Sequence, residues 1–267
     1  MKPYAHQRKF TARPSPDVLN EREAARMRSL LELIPAHGES VLDIGARDGF
    51  LATQLTDRFG RIVALDLEEP MLSDPRVECV AGDVRALPYG DASFDTVICA
   101  EVLEHVNPHS LDQACREIVR VARRAIVIGV PYRQDLRCGE TQCTTCCRFN
   151  PPWGHQSRFD EARLRDLFRD VPISILAHVG SNRNVTNALS TKFMRFAGNP
   201  YGTYEQDEAC VHCGARLLAP SQRNVAQKVA TKIAVLLDRA QRAVTPARAS
   251  WIHVRFDKAG PPLRPAT

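Results

Sequence analysis

The 267-residue sequence predicts an α/β protein with a doubly wound, mostly parallel sheet. Three observations carry that expectation. Short Val- and Ile-rich runs alternate with segments of helical period, a glycine turn follows the first run, and an acid closes each of the next two. Apolar residues at helical spacing make Asp17–Leu33 an amphipathic helix. Ser40–Ile44 then reads as a buried strand, Phe50–Phe59 as a helix, and Arg61–Leu67, Val77–Ala81 and Phe94–Ala100 as further strands. Leu111–Ala122 is helical by period and Ala125–Val130 is a fifth strand. Residues 132–157 are polar and Cys-rich, an irregular insertion. Phe159–Phe168 is a helix with Asp160 as its N-cap, Ile173–Val179 a strand, and 180–220 a second irregular insertion. Asn224–Val244 has helical period, and Trp251–Phe256 alternates like a last strand, the seventh.

Composition bounds the function classes. With 44% hydrophobic and 25% charged residues the chain is neither fibrous nor broadly disordered, and a balance of +5 does not by itself indicate nucleic acid. Residues 1–16 read as a basic arm and 17–267 as one domain. The longest apolar runs, such as Ala125–Pro131 and Lys232–Leu237, are too short to span a bilayer. The first residues lack the apolar core of a signal peptide, so a cytoplasmic location is expected. The nine cysteines are then thiols or metal ligands before they are disulfides.

The run Val41-Leu42-Asp43-Ile44-Gly45-Ala46-Arg47-Asp48-Gly49 carries an apolar strand into a glycine turn, where backbone can approach a ligand. Asp66 ends the second strand, where nucleotide folds place a carboxylate for ribose hydroxyls, and Asp83 ends the third. All three features fall on the carboxyl edge of the sheet. A dinucleotide dehydrogenase would prefer G-x-G-x-x-G, which is missing.

Four segments in order resemble class I S-adenosylmethionine-dependent methyltransferases over residues 38–180: LDIGARDG, VALDLE, AGDVRALPYGDASFDTVICAEVLEHV and REIVRVARRAIVIGVP. The resemblance implies a seven-stranded sheet whose last strand lies antiparallel beside the fifth. It also implies S-adenosylmethionine as cofactor. Asp43, Gly45, Arg47 and Gly49 would form the cofactor turn, Asp66 would bind ribose, Leu67 would pack on adenine and Asp83 would bond its amino group. Glu101 completes the set. Arg47 stands where the family usually has Gly.

Ala100-Glu101-Val102-Leu103-Glu104-His105 can place two carboxylates and an imidazole on one helical face, a set that suits a divalent ion. It is similar to the metal motif of ubiquinone-pathway O-methyltransferases and of small-RNA 2′-O-methyltransferases. In the latter, a later histidine completes the site, a part open to His155. The same segment also occurs without metal, with Glu104 and His105 structural. His105 and His155 are also candidate general bases.

Cys143-Thr-Thr-Cys146 and Cys210-Val-His-Cys213 are C-x-x-C pairs, together the ligand set of a structural zinc site. Gly214 follows the second pair as in a zinc knuckle. Cys147 holds the corresponding place in the first and is read as a substitution, with Cys138 an alternative ligand. Cys79, Cys99 and Cys115 read as core residues. Tyr132, Arg133, Asn150, Pro151, Pro152, Trp153, His155 and Gln156 would roof the substrate side. Trp153 is read either as a stacking platform or as a plug, and Asn182, Arg183, Asn184 and Arg195 as contacts for anionic groups. The expected activity is methyl transfer, at oxygen, to a small-molecule or glycan acceptor. An RNA methyltransferase and a degenerate cofactor-binding scaffold are the other classes the sequence admits.

Overall fold

A computed structural model describes residues 20–258. The basic arm at 1–16 and the last nine residues lie outside that range. Seven strands form one sheet: β1 (Gly38–Ile44), β2 (Phe59–Asp66), β3 (Val77–Ala81), β4 (Phe94–Ala100), β5 (Ala122–Pro131), β8 (Ile173–Val179) and β9 (Trp251–Asp257). Their order is β3-β2-β1-β4-β5-β9-β8. β1 to β5 run parallel, and β9 lies antiparallel to both β5 and β8. The expected placement of the last strand beside the fifth therefore holds. Two short strands, β6 (Thr141–Gln142) and β7 (Phe149–Asn150), form a separate hairpin inside the first insertion.

Alternation along the strands builds two cores. On one face Leu42, Ile44, Val63, Leu65, Val97 and Cys99 meet α3 (Leu111–Val121) and α4 (Glu161–Leu167). On the other, Val41, Ile62, Ala64, Ile98 and Val127 meet α1 (Glu21–Leu33) and the short α2 (Phe50–Thr53). Each fully buried aliphatic side chain contributes roughly 1.5–3 kcal/mol. Polar groups lock the strands at the opposite end: the Asp95 carboxylate accepts from the Glu39 N–H at 2.7 Å and from Arg123 Nε at 2.8 Å.

Helix starts follow their caps. Asn20, Asp160 and Asn224 each accept a backbone N–H of the first turn, and Asn224 with Gln227 completes a capping box at α6 (Val225–Val244). Two expectations are corrected. The helix expected over Phe50–Phe59 ends at Thr53, because the Thr53 and Thr56 hydroxyls bond local carbonyls and Phe59 joins β2 opposite Gly38. A Cβ on Gly38 would lie 2.5 Å from the Phe59 ring, so the glycine makes room for it. The stretch 180–220 is not wholly irregular: Asn187 caps α5 (Ala188–Phe196), which packs along α6.

Candidate cofactor and acceptor site

The turn after β1 is shaped by close approach. Gly45 (φ 79°) faces Val102 and Gly49 (φ 66°) faces Leu72, and a Cβ at either would come within about 2.3 Å of those side chains. Arg47 also has positive φ, 48°, a conformation an L-residue holds at some cost. Its N–H donates to Asp66 Oδ2 at 2.9 Å, and the Leu67 N–H donates to Asp66 Oδ1 at 2.7 Å. Asp66 thereby stitches the β1 turn to the end of β2.

Two adjoining cavities open on this edge. The smaller, about 390 Å³, is lined by Asp66, Leu67, Asp83, Val84, Val102 and Asn107. Leu67 presents an exposed apolar side chain there (68%). Both Asp83 oxygens already accept from Arg85, which holds that carboxyl below its usual range. The larger, about 730 Å³, reaches under α1 and the insertion, past Arg26, Asp43, Tyr132, Trp153, Arg248 and Trp251. Gly45, Arg47, Glu101, His105 and Glu208 line both cavities and so mark their junction.

Asp43 is buried and its Oδ2 has no hydrogen-bond partner among the described residues. Burial, then the charges of Asp66 and Asp48, push its carboxyl up to about 7 against a smaller downward pull from the Ala52 backbone. Glu101 sits at φ 58°, and its Oε2 accepts from Trp251 Nε1 at 3.2 Å. Arg22 and Arg26 stand over that indole, 4.5 and 5.7 Å from the ring centre.

Glu104, His105 and His155 come together with one ligand atom each within 4.8 Å of the others. Glu101 is not in this group, which corrects the ligand set expected from the chain order alone. Glu101 Oε2 is engaged by Trp251, whereas Glu104 is wholly buried. Neither Glu104 oxygen has a hydrogen-bond partner among the described residues, and burial, then the Glu101 charge, push its carboxyl well up. His155 shares a 2.6 Å hydrogen bond between Nδ1 and Gln134 Oε1, and its ring meets His105 edge-on at 4.6 Å. Burial and His105 push the His155 imidazole down to about 3, so it is a poor proton acceptor near neutral pH. The Gln156 N–H donates to the Glu104 carbonyl at 2.6 Å, and Gln156 Nε2 to that of His105 at 3.0 Å. These two bonds dock the end of the first insertion onto the turn after β4 and bring His155 in.

The four expected cysteines converge. Cys143 and Cys213 sulfurs lie 3.7 Å apart and those of Cys146 and Cys210 lie 3.6 Å apart. A zinc tetrahedron with bonds of about 2.3 Å has edges of about 3.8 Å, so the group fits that ion. The two pairs repeat one backbone pattern. The N–H of Cys147 donates to the Cys143 carbonyl and that of Gly214 to the Cys210 carbonyl, at 2.9 and 2.8 Å. Cys147 and Gly214 both have positive φ, 58° and 72°, so Cys147 occupies the glycine position of its knuckle. Backbone N–H groups of Cys146 and Thr145 lower the Cys143 thiol to about 6. Cys138 lines the larger cavity and stands outside the cluster. Cys99 and Cys115 are buried in the sheet core, while Cys79 is half-buried in β3.

On the insertion side, Trp153 is 46% exposed and lines the larger cavity. Asn182 and Asn184 line the same cavity. Arg195 and Arg133 do not serve as free anion contacts: Arg195 pairs with Glu140 at 2.6 Å, and Arg133 faces Asp160 and Glu161 at 3.7 Å. Sequence reasoning missed Arg22, Arg26, Gln134 and Glu208. The first two, at i and i+4 on α1, carried a usable signal. Glu208 had none, since its place depends on how the second insertion folds.

Residues 42–126 match the methyltransferase domain family. Over that segment the chain is similar to methyltransferase domains. Similar curated proteins include a ubiquinone biosynthesis O-methyltransferase of Paracidovorax citrulli, 31% identical over 38% of this chain and 48% of its own length. A demethylmenaquinone methyltransferase of Thermobifida fusca is 35% identical over 32% of this chain and 40% of its own. The chain thus spans about half or less of the length of these relatives. The fold also resembles the YcgJ protein of Bacillus subtilis (TM-score 0.53, 14% identity, 88% of this chain and 98% of that one). Another solved structure, the N-methyltransferase NodS of Bradyrhizobium japonicum, has TM-score 0.50 and 14% identity over 90% and 97%.

Proposed function

We propose that this chain transfers a methyl group from S-adenosylmethionine to an oxygen of a small-molecule or glycan acceptor. The observation that carries the reading is the meeting of two cavities at Gly45, Arg47, Glu101 and His105, with the Glu104–His105–His155 group beside the junction. The smaller cavity suits the adenosine half: Asp66 for ribose, Leu67 against the ring, Asp83 and Arg85 at its far end. Asp43 and the turn at Gly45–Gly49 would face the amino-acid half, with Arg47 near its carboxylate. The larger cavity would take the acceptor. The quinone-pathway names of similar proteins support a small acceptor.

S-adenosylmethionine, when bound, supplies a methyl group on a positively charged sulfur that keeps the bonding electrons as it leaves. The chain must then align the acceptor hydroxyl and help remove its proton. His155, donating from Nδ1 to Gln134, would turn its other nitrogen to the junction as an acceptor. With Glu104 and His105 it would hold a divalent cation, whose charge acidifies a nearby hydroxyl. His105 acting directly as base is the simpler alternative, since burial makes His155 a poor proton acceptor. The four cysteines would hold a structural zinc ion that supports the loop carrying His155. The basic residues that raise an RNA acceptor fall in part on 1–16, outside the described residues.

Calorimetric titration with S-adenosylhomocysteine is the first test. Micromolar one-to-one binding is expected, and no binding would leave a scaffold role in its place. An acceptor screen with labelled donor follows, with Glu104→Gln and Mg²⁺ add-back after chelation. Turnover that ignores both would remove the cation from the reaction.

A further inference from the structure

The helical hairpin formed by α5 and α6 turns an apolar row outward. Within α6 only Ala230, Thr231 and Ala234 are buried. At 100° per residue they share one side, while Val225, Val229, Ile233, Leu236 and Ala240 fall within an arc of about 80° on the other. Val225 is 77% exposed and Leu236 62%, and Leu189 and Phe196 of α5 are exposed as well. Exposed Lys228, Lys232 and Arg239 flank this row, and Lys192 lies between Leu189 and Phe196 along α5. Asp238 is the one acid in either helix, and it accepts from the Thr186 hydroxyl, away from the row. The inner side is fixed instead by Ser190 Oγ donating to the buried Ala234 carbonyl at 2.9 Å.

We propose that the outer face of α5 and α6 seats this protein on a membrane surface rich in anionic lipid. The charge pattern selects that occupant. A second copy of the same face would bring like charges together, and so would the basic residues of the chain's own first 16 positions. A bilayer interface accepts both parts: the apolar row enters the headgroup boundary while the lysines meet anionic headgroups. α6 is about 30 Å long at 1.5 Å per residue, yet no helix among the described residues is apolar enough to cross a membrane. It would lie in the plane. Arg242, in its last turns, lines the larger cavity from the side of α6 turned away from the apolar row. This inference does not depend on the methyl-transfer reading.

The test is co-sedimentation of the full chain with vesicles of phosphatidylcholine alone or with about a third phosphatidylglycerol. The wild type should bind the anionic vesicles and weaken as salt rises. Ile233→Glu with Leu236→Glu, and separately Lys228→Glu with Lys232→Glu, should each weaken binding about tenfold or more. Both pairs are exposed, and unchanged S-adenosylhomocysteine affinity or thermal melting would show that they fold. No sedimentation of folded wild type, or binding that both variants leave intact, overturns the proposal. A wild type that forms dimers in solution and loses them in the Leu236 variant overturns it in favour of a second copy.

Discussion

The sheet's carboxyl edge and the Cys-rich insertion that faces it differ in what holds them. Behind Asp43, Asp66 and Asp83 lie two continuous apolar cores. Behind His155 and Glu208 the buried apolar group is Cys143, Cys210 and Leu217, with Cys146, Tyr204 and Ala215 partly buried against it. The first region folds because water is excluded from many aliphatic side chains. The second has too little such surface, and two hydrogen-bonded knuckles bring its four sulfurs together instead. The site at their boundary thus joins a half held by apolar packing to a half whose four sulfurs fit a zinc ion.

Removing the ion should break that contrast most sharply. Cys143→Ser with Cys210→Ser should abolish zinc binding, an effect on the order of 10 kcal/mol for the insertion. Limited proteolysis should then cut within 132–157 and 180–220 and methyl transfer should cease, while S-adenosylhomocysteine still binds the sheet half. Purified wild type that holds no zinc by metal analysis would remove the distinction. On the sheet side, Asp66→Ala should weaken S-adenosylhomocysteine at least about 100-fold by calorimetry, near 3 kcal/mol. A change under about threefold would take Asp66 out of the ribose site.

Asp43 probes the sheet half through pH. Its carboxyl is raised from 3.8 to about 7, so the folded chain binds the extra proton between those values. Stability contributed by the protonated form is complete below about pH 4, declines as pH rises, and is lost above about pH 7, a span of about 4 kcal/mol. Asp43→Asn should therefore melt higher than the wild type at pH 8, and the gap should close near pH 4. A gap independent of pH would place its cause elsewhere. The smallest effect is expected at Arg47→Gly, which relieves a positive φ and should stabilise the apo protein by about 1 kcal/mol in denaturant titration. Should cofactor affinity fall in the same variant, the guanidinium takes part in binding.

Wherever local chemistry decides, the sequence was enough. The parallel strands, the Asp160 cap and the four sulfurs follow from period, cap type and the C-x-x-C spacing. The turn at Arg47 was legible too, although the positive φ that explains the usual glycine there needed coordinates. Long-range docking was not legible. Glu101 and Glu104 are three residues apart, but one turns to Trp251 and the other to His155, a choice made by β9 and by Gln156. The α5 helix was overlooked because cysteines and glycines around it read as loop, though Asn187 before Leu189 and Phe193 was a start signal.

The position of β9 constrains how the protein can be made. β8 joins the sheet only through β9, which is synthesised about 70 residues later. Until residue 257 has left the ribosome, the apolar edge of β5 stays bare and β8 has no neighbour to pair with. At about 5–20 residues per second that interval lasts several seconds. The β1 to β5 half can fold during translation, whereas β8 must wait for β9, and that delay is when nascent chains are most open to wrong pairing and to chaperones.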